Sequence, residues 1–394
     1  MQIINKKTKK PTSAKATEDK QKNNKVYVGL SGGVDSSVAV ALLQKDGYEV
    51  TGVFIKIWNE KWGPCGWKDD RRDAMKVAMH LDIPFKELDL SDEYEKEVVK
   101  YMVREYKAGR TPNPDVMCNS QIKFGEFLKW SLKNGADFIA TGHYARLKRE
   151  TQNPKLKTQN KSKILNSKFK TRLLSGVDCG KDQSYFLWQL KQSQLKYCLF
   201  PIGEYKKNKV RELAKKFGLP TAEKKDSQGI CFIGKMGMKD FLKKYIKAKS
   251  GDVLNLNGDI IGRHDGAVFF TIGQRHGFVI TKKGTDDKPY YVVGKDVREN
   301  EIIVFNKDLK TKKQKNKKTI LINNVNWILN EEPDLDKKYK VRFRHLQELK
   351  VCKVKKLKDD EYIINFVKTQ ENIVSGQSLV IYDGGICLGG GVIK

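Results

Sequence analysis

The ten residues VGLSGGVDSS, 28–37, constrain this chain more than any other stretch. A hydrophobic run, KVYVGL at 25–30, ends in a serine and paired glycines and gives way at once to DSSVAVALLQKDG at 35–47. The first segment reads as a strand and the second as a helix, with Asp35 in its first turn and Gly47 as its stop. Paired glycines at such a junction let something approach the backbone closely. The N–H groups freed there, with the positive end of the helix, make an anion cradle to which Ser31, Ser36 and Ser37 add hydroxyl donors. The loop is neither GxxxxGK[ST], because no lysine follows the glycines, nor GxGxxG.

The same alternation continues downstream. YEVTGVFIKIW (48–58), PFKELDL (84–90) and ADFIATGHYA (136–145) read as strands, and 69–82, the stretch from Ser91 to Gly109, and 120–135 read as helices. Strands alternating with helices predict an α/β fold built on a doubly wound parallel sheet, in which ligands bind at the carboxyl ends of strands. From about Gly251 the chain turns to short strands separated by Gly, Asn and Asp, which predicts a small central β-rich domain followed by a C-terminal β-barrel-like domain. The expected boundaries are a basic disordered tail over 1–24, an α/β domain over 25–236 with a basic insertion near 151–170, a central domain over 237–305 and a last domain over 318–394.

Charge narrows the partner. The 77 Lys and Arg outweigh 47 Asp and Glu to give a net +30, which predicts a polyanion, nucleic acid ahead of an anionic membrane. Lysine-rich genome bias is the alternative source of part of this excess. Much of it lies in runs at 6–25, 155–172 and 307–318, which have few large apolar residues and read as mobile, weakly RNA-tethering segments. The first twenty residues lack a hydrophobic core segment, so no secretory signal is expected, and no apolar run reaches transmembrane length. The seven cysteines are scattered, with no CxxC, which fits a reducing cytoplasm and argues against a zinc ribbon.

Two of these thiols have suggestive surroundings. Cys118, in AGRTPNPDVMCNSQIKFG, follows a proline-rich extended loop and is expected where the next helix begins, a setting that favours the thiolate. Asp115, three residues upstream, is placed to orient it or exchange a proton. Cys231, in KKDSQGICFIGKMG, sits in a polar, glycine-containing loop beside lysines. From composition alone both could equally be small buried hydrophobes, the reading adopted for Cys179, Cys198, Cys352 and Cys387.

SGGVDSS resembles the PP-loop of ATP pyrophosphatases (the adenine nucleotide alpha hydrolase-like fold). The ordered set GLSGGVDSSVA, TPNPDVMCNSQIKFG, IATGHYAR, GKDQSYFL, DSQGICFIG, TIGQRHGF, YYVVGKD and GICLGGGVI resembles one family within that group, the tRNA-specific 2-thiouridylases (MnmA/TrmU), from Lys25 to Lys394. The resemblance implies a tRNA-uridine 2-sulfurtransferase. ATP with Mg2+ would be held by Gly29, Leu30, Ser31, Gly32, Gly33, Val34, Asp35 and Ser36, with Ile55 and Gly142 around the adenosine and Asp35 near the metal. It implies that Cys231 carries a persulfide from a sulfur-donor protein, a cysteine desulfurase or relay, and that Cys118 is the nucleophile, the two forming a redox pair. Asp115 becomes the acid/base group, with Asn113 and Pro114 shaping the base pocket. His143, Lys181, Asp182, Gln183, Arg344, His345 and Gln377 map onto tRNA-contacting positions, though His143 also reads as a structural strand-end histidine. Ser375 stands where this family commonly has proline. An amide-forming PP-loop synthetase or a non-catalytic RNA-binding protein are the rival readings; the first needs no paired cysteines and the second no intact SGGVDS loop.

Overall fold

The computed structural model describes residues 24–63, 66–151, 169–226, 236–281, 288–306 and 317–394. Cys65, Cys231, the amino-terminal tail and the central parts of the other two lysine-rich runs therefore lie outside the described residues.

Five parallel strands organise the first part: β1 (Lys25–Gly29), β2 (Glu49–Lys56), β3 (Phe85–Asp89), β4 (Phe138–Ala140) and, after a hairpin of β5 (Ala145–Thr151) with β6 (Phe169–Ser175), β7 (Cys198–Leu199). Their order, β3-β2-β1-β4-β7, makes β1 the strand from which the chain winds first one way and then the other. Loops leaving the carboxyl ends of β1 and β4 therefore diverge and open a crevice, as at any topological switch point.

Side chains alternate across β1, so Val26 and Val28 join the cluster under α1 (Val34–Lys45) and α2 (Trp67–His80), while Tyr27 joins the opposite layer. That layer is carried by the helical turns Ser91–Lys107 and Pro114–Lys133. Nearly every turn of α1 is buried, because the helix Lys207–Lys216 covers its far side with Val210 and Ala214 against Val38, Ala39 and Leu42.

The helix at Pro114 starts six residues earlier than the sequence pattern suggests. Asn113 caps it, its Oδ1 accepting from Val116 N at 3.3 Å, and Pro114 occupies the first turn, where its missing N–H costs nothing. Over Cys118–Glu126 the winding is π-helical, a geometry frequent at functional sites. Gln194 reaches into this stretch, donating from Nε2 to Ser120 O at 3.2 Å and to Phe124 O at 2.7 Å.

The central part is a five-stranded mixed sheet, β10-β9-β8-β12-β11, from β8 (Gly251–Leu254), β9 (Ile260–His264), β10 (Phe278–Ile280), β11 (Tyr291–Asp296) and β12 (Glu301–Phe305). The last part is a closed antiparallel barrel of β13 (Lys317–Trp327), β14 (Lys338–Arg342), β15 (Lys350–Lys358), β16 (Glu361–Gln370), β17 (Ser378–Asp383) and β18 (Ile386–Ile393), closed by pairing of β13 with β18. The β5–β6 hairpin also pairs with β18, so the flanks of the basic insertion belong to the barrel's sheet.

Replacing Gln194 with Leu removes the side-chain partner of two carbonyls of the π-helical stretch. Each lost hydrogen bond costs about 0.5–1.5 kcal/mol. The expected outcome is a urea midpoint lowered with an unchanged slope; an unaltered midpoint would mean that the helix's own N–H groups suffice for both carbonyls.

Candidate functional site

At the crevice, Leu30 and Val34 turn their side chains into the core and offer only backbone to the loop. Gly32 has φ +71°, and a Cβ there would meet Asp70 O, in the first turn of α2, at 2.3 Å. A side chain at Gly142, just past β4, would lie 2.7 Å from Ser36 N. Both glycines are thus required by close backbone approach. Ser36 Oγ accepts from Ser31 N at 3.2 Å and Ser37 Oγ donates to Gly33 O at 2.8 Å, which rigidifies the turn. The amide N–H groups of Gly32 and Gly33 make no hydrogen bond among the described residues, so the cradle's donors are available. Ile55 packs near Gly29 at the neighbouring strand end.

Asp35 does not project freely. Its Oδ1 accepts from Tyr144 Oη at 2.7 Å, and both its oxygens accept from Lys207 Nζ, at 2.8 and 2.9 Å. Burial, then the Asp35 charge, keeps the Tyr144 phenol far above its usual range, so it stays a donor. Lys207 Nζ is also 2.8 Å from Asp226 Oδ1, and Asp226 takes further contacts from Lys181 at 2.9 Å and Arg211 at 2.6 Å. Burial pushes the Asp226 carboxyl up, but hydrogen bonds and charge from Lys207 and Lys181 outweigh it and hold it well below the carboxylate range. Arg211 Nη1 additionally grips Ala222 O and Lys224 O, and Thr221 Oγ1 donates to Ser37 Oγ at 3.0 Å. The chain leading towards Cys231 is therefore fastened beside the glycine loop as far as Asp226. Where it becomes described again, Met236 lies against Gly63.

A second group forms at the seam with the barrel. Thr111 N donates to Ser375 O at 2.9 Å, Gln377 Nε2 donates to Thr111 O at 2.9 Å and Pro112 O at 3.3 Å, and Thr111 Oγ1 lies 3.2 Å from Thr271 Oγ1 of the central part. All three parts of the chain thus hold the loop before Asn113. Cys118 is buried in the second turn of its helix, beyond the first turn in which the helix dipole acts most strongly, so the helix-terminus argument for its reactivity does not carry. Asp115 is half-buried, and burial raises its carboxyl above the usual value against the opposing charge of Lys123. Next to Cys118, Asn119 donates to Phe186 O at 3.2 Å, and the Phe186 ring stands 4.5 Å from that of His345. Arg344 is exposed, with Nη2 donating to Asn372 O at 2.9 Å.

The turn Lys181-Asp182-Gln183 joins the two groups. Lys181 reaches Asp226 and Gln183 accepts from Tyr144 N at 2.9 Å on one side, while on the other the carbonyl oxygen of Asp182 lies 2.9 Å from His345 Nε2. The Asp182 carboxylate is buried, taking Gly176 N and Ser184 N and facing Arg342 at 3.4 Å, so its side chain serves the protein interior. His143 is likewise buried between Phe124 and Phe200, with Nδ1 2.7 Å from Thr141 Oγ1. Burial holds its pKa well below the ordinary value, so it stays neutral. Lys207, Asp226, Tyr144 and Arg211 are the site residues that sequence reading missed. Among 77 basic residues a single lysine carries no signal, whereas Asp226 is the first residue of the DSQGICFIG motif. No cluster of three or more potential metal ligands occurs among the described residues. Among those residues, too, no helix is long and apolar enough to cross a membrane.

The Asp226 network should appear in acid unfolding. A depressed carboxyl contributes stability that is complete above the unfolded value of about 4 and is lost as pH falls through the lower folded value. Asp226→Asn is expected to flatten stability against pH below about pH 4 relative to the parent protein; parallel acid limbs would remove Asp226 as the cause.

Comparison with known proteins gives one consistent assignment. Residues 24–235 match the family model described as tRNA methyl transferase HUP domain, 239–306 the tRNA methyl transferase PRC-barrel domain and 317–393 the aminomethyltransferase beta-barrel domain. A protein from Listeria monocytogenes serotype 4b named tRNA-specific 2-thiouridylase MnmA is 42% identical over 371 residues, 94% of each chain. The protein of that name from Bacillus velezensis is 42% identical over 385 residues, 95% of this chain and 96% of its own. Two solved structures align over about half of the chain. NMN synthetase from Francisella tularensis has 17% identity and TM-score 0.31, covering 52% of this chain and 67% of its own. The U34-tRNA thiolase NcsA from Methanococcus maripaludis has 20% identity and TM-score 0.31, covering 56% and 63%.

Proposed function

The chain belongs to the tRNA-specific 2-thiouridylase family, and from that membership we infer that it replaces the 2-oxygen of the wobble uridine of tRNA with sulfur at the expense of ATP. The observation that carries this reading is the juxtaposition of the glycine loop with the fastened chain leading to Cys231, linked through the 181–183 turn, His345 and Phe186 to the Cys118 helix.

The glycine loop binds the triphosphate through its free N–H groups, with Ile55 and Gly142 bordering the nucleoside. Asp35 is the residue that would hold Mg2+, which supplies charge neutralisation of the phosphates. The uridine O2 attacks the α-phosphorus, pyrophosphate leaves, and the base becomes an O-adenylated species. AMP leaves C2 far more readily than oxide would. In one route the terminal sulfur of a Cys231 persulfide attacks C2, AMP departs, and the Cys118 thiolate attacks Cys231 Sγ to free the 2-thiouridine. In the other, Cys118 attacks first and expels hydrosulfide, which then attacks C2. Both end in a Cys118–Cys231 disulfide that a cellular thiol must reduce by exchange. Asp115, with its carboxyl raised by burial, exchanges the proton at the uracil edge.

The uridine must be splayed from its stack to reach Asn113 and Pro114, which an anticodon loop permits. Lys181, Arg344 and His345 border that approach, whereas Gln377 acts through the backbone of Thr111 and Pro112 that it holds. Asp182 and His143 support tRNA binding from the interior. The sulfur reaches Cys231 from a donor protein, a cysteine desulfurase or relay, and the reaction belongs to the reducing cytoplasm.

Purified protein given ATP, Mg2+, a persulfide source and unmodified tRNA should form 2-thiouridine, AMP and pyrophosphate. Cys118→Ser and Cys231→Ser should each lower thiolation by about 1,000-fold or more, as loss of a covalent nucleophile does, while tRNA affinity changes less than about twofold. Consumption of ammonia and a carboxylate with tRNA unchanged would favour an amide-forming synthetase instead, and full activity in Cys118→Ser would remove its role.

A further inference from the structure

The glycine loop has no lysine of its own, yet a lysine from elsewhere stands at its carboxylate. We propose that Lys207 is the phosphate-binding cation of the nucleotide site, held in the free protein by Asp35 and Asp226 and turned to the pyrophosphate end of the nucleoside triphosphate when it binds. This inference rests on the ATP reading given above.

Three features carry it. The first is placement: Lys207 opens the helix that covers α1, its own N–H is fixed by Asp178 Oδ2 at 2.8 Å, and its side chain is only 14% exposed. It is therefore delivered from a rigid element to the helix end where the loop's N–H donors are free. The second is charge. Three cations, Lys207, Lys181 and Arg211, are gathered by Asp35 and Asp226 beside the loop's free N–H donors, with Asp178 balancing the network, so positive charge is concentrated where an anion would sit. The third is valence. An ammonium has three donors. When the oxygens of Asp35 turn to a phosphate-bound cation, Asp226 still anchors Lys207 and a released N–H is left for a phosphate oxygen. Ion pairing to the triphosphate would thus replace ion pairing to Asp35, with no net loss of charge contacts for the lysine.

Calorimetric titration with MgATP and with AMP separates this role from a structural one. The parent protein should bind ATP more tightly than AMP. In Lys207→Met the ATP affinity should fall on the order of 10- to 100-fold, the size expected for a lost charge-assisted hydrogen bond, with AMP affinity within about twofold of the parent. Lys207→Arg should restore most of the difference. Equal losses of ATP and AMP in Lys207→Met, or an unchanged ATP preference there, would overturn the proposal. A parent protein that shows no preference for ATP over AMP would instead overturn the ATP reading on which it rests.

Discussion

One ammonium shared by two carboxylates holds this site in register. Lys207 Nζ touches Asp35, in the first turn of α1, and Asp226, at the last described residue before the stretch that contains Cys231. The glycine loop and the chain that leads to Cys231 therefore meet at a single charge. Arg211 adds two backbone contacts and Tyr144 fixes the other side of Asp35.

The second thiol is positioned by a different device. The loop before Asn113 runs between the barrel, through Ser375 and Gln377, and the central sheet, through Thr271. The position of this loop depends on all three parts of the chain being docked. That dependence accounts for the β-rich two-fifths of the sequence, which contributes few chemical groups of its own. Ser375 contributes its carbonyl to the clasp, a contact indifferent to the side chain and so compatible with the proline common at that position in the family.

Much of this was legible in the sequence. The strand-glycine-helix junction at 28–37 dictated both the sheet and its switch point, and Gly142 proved to be demanded by contact with Ser36. What was not legible followed from long-range packing. The helix carrying Cys118 starts at Pro114 because Asn113 caps it, a local signal that the prolines masked. Asp182 sits among polar neighbours in sequence, yet Arg342, 160 positions away, draws its carboxylate inward. Lys207 was invisible for the same reason: only the fold distinguishes it from the other lysines.

On the proposed reading, adenylation at the glycine loop and sulfur transfer between Cys118 and Cys231 are steps of one site. A single turnover run without reductant, on protein loaded with persulfide sulfur at Cys231, tests it by peptide mass mapping alongside nucleoside analysis of the tRNA. With ATP present, one 2-thiouridine is expected for each Cys118–Cys231 disulfide, and without ATP no 2-thiouridine. Thiolated tRNA formed without ATP, or with both cysteines still reduced, would contradict it.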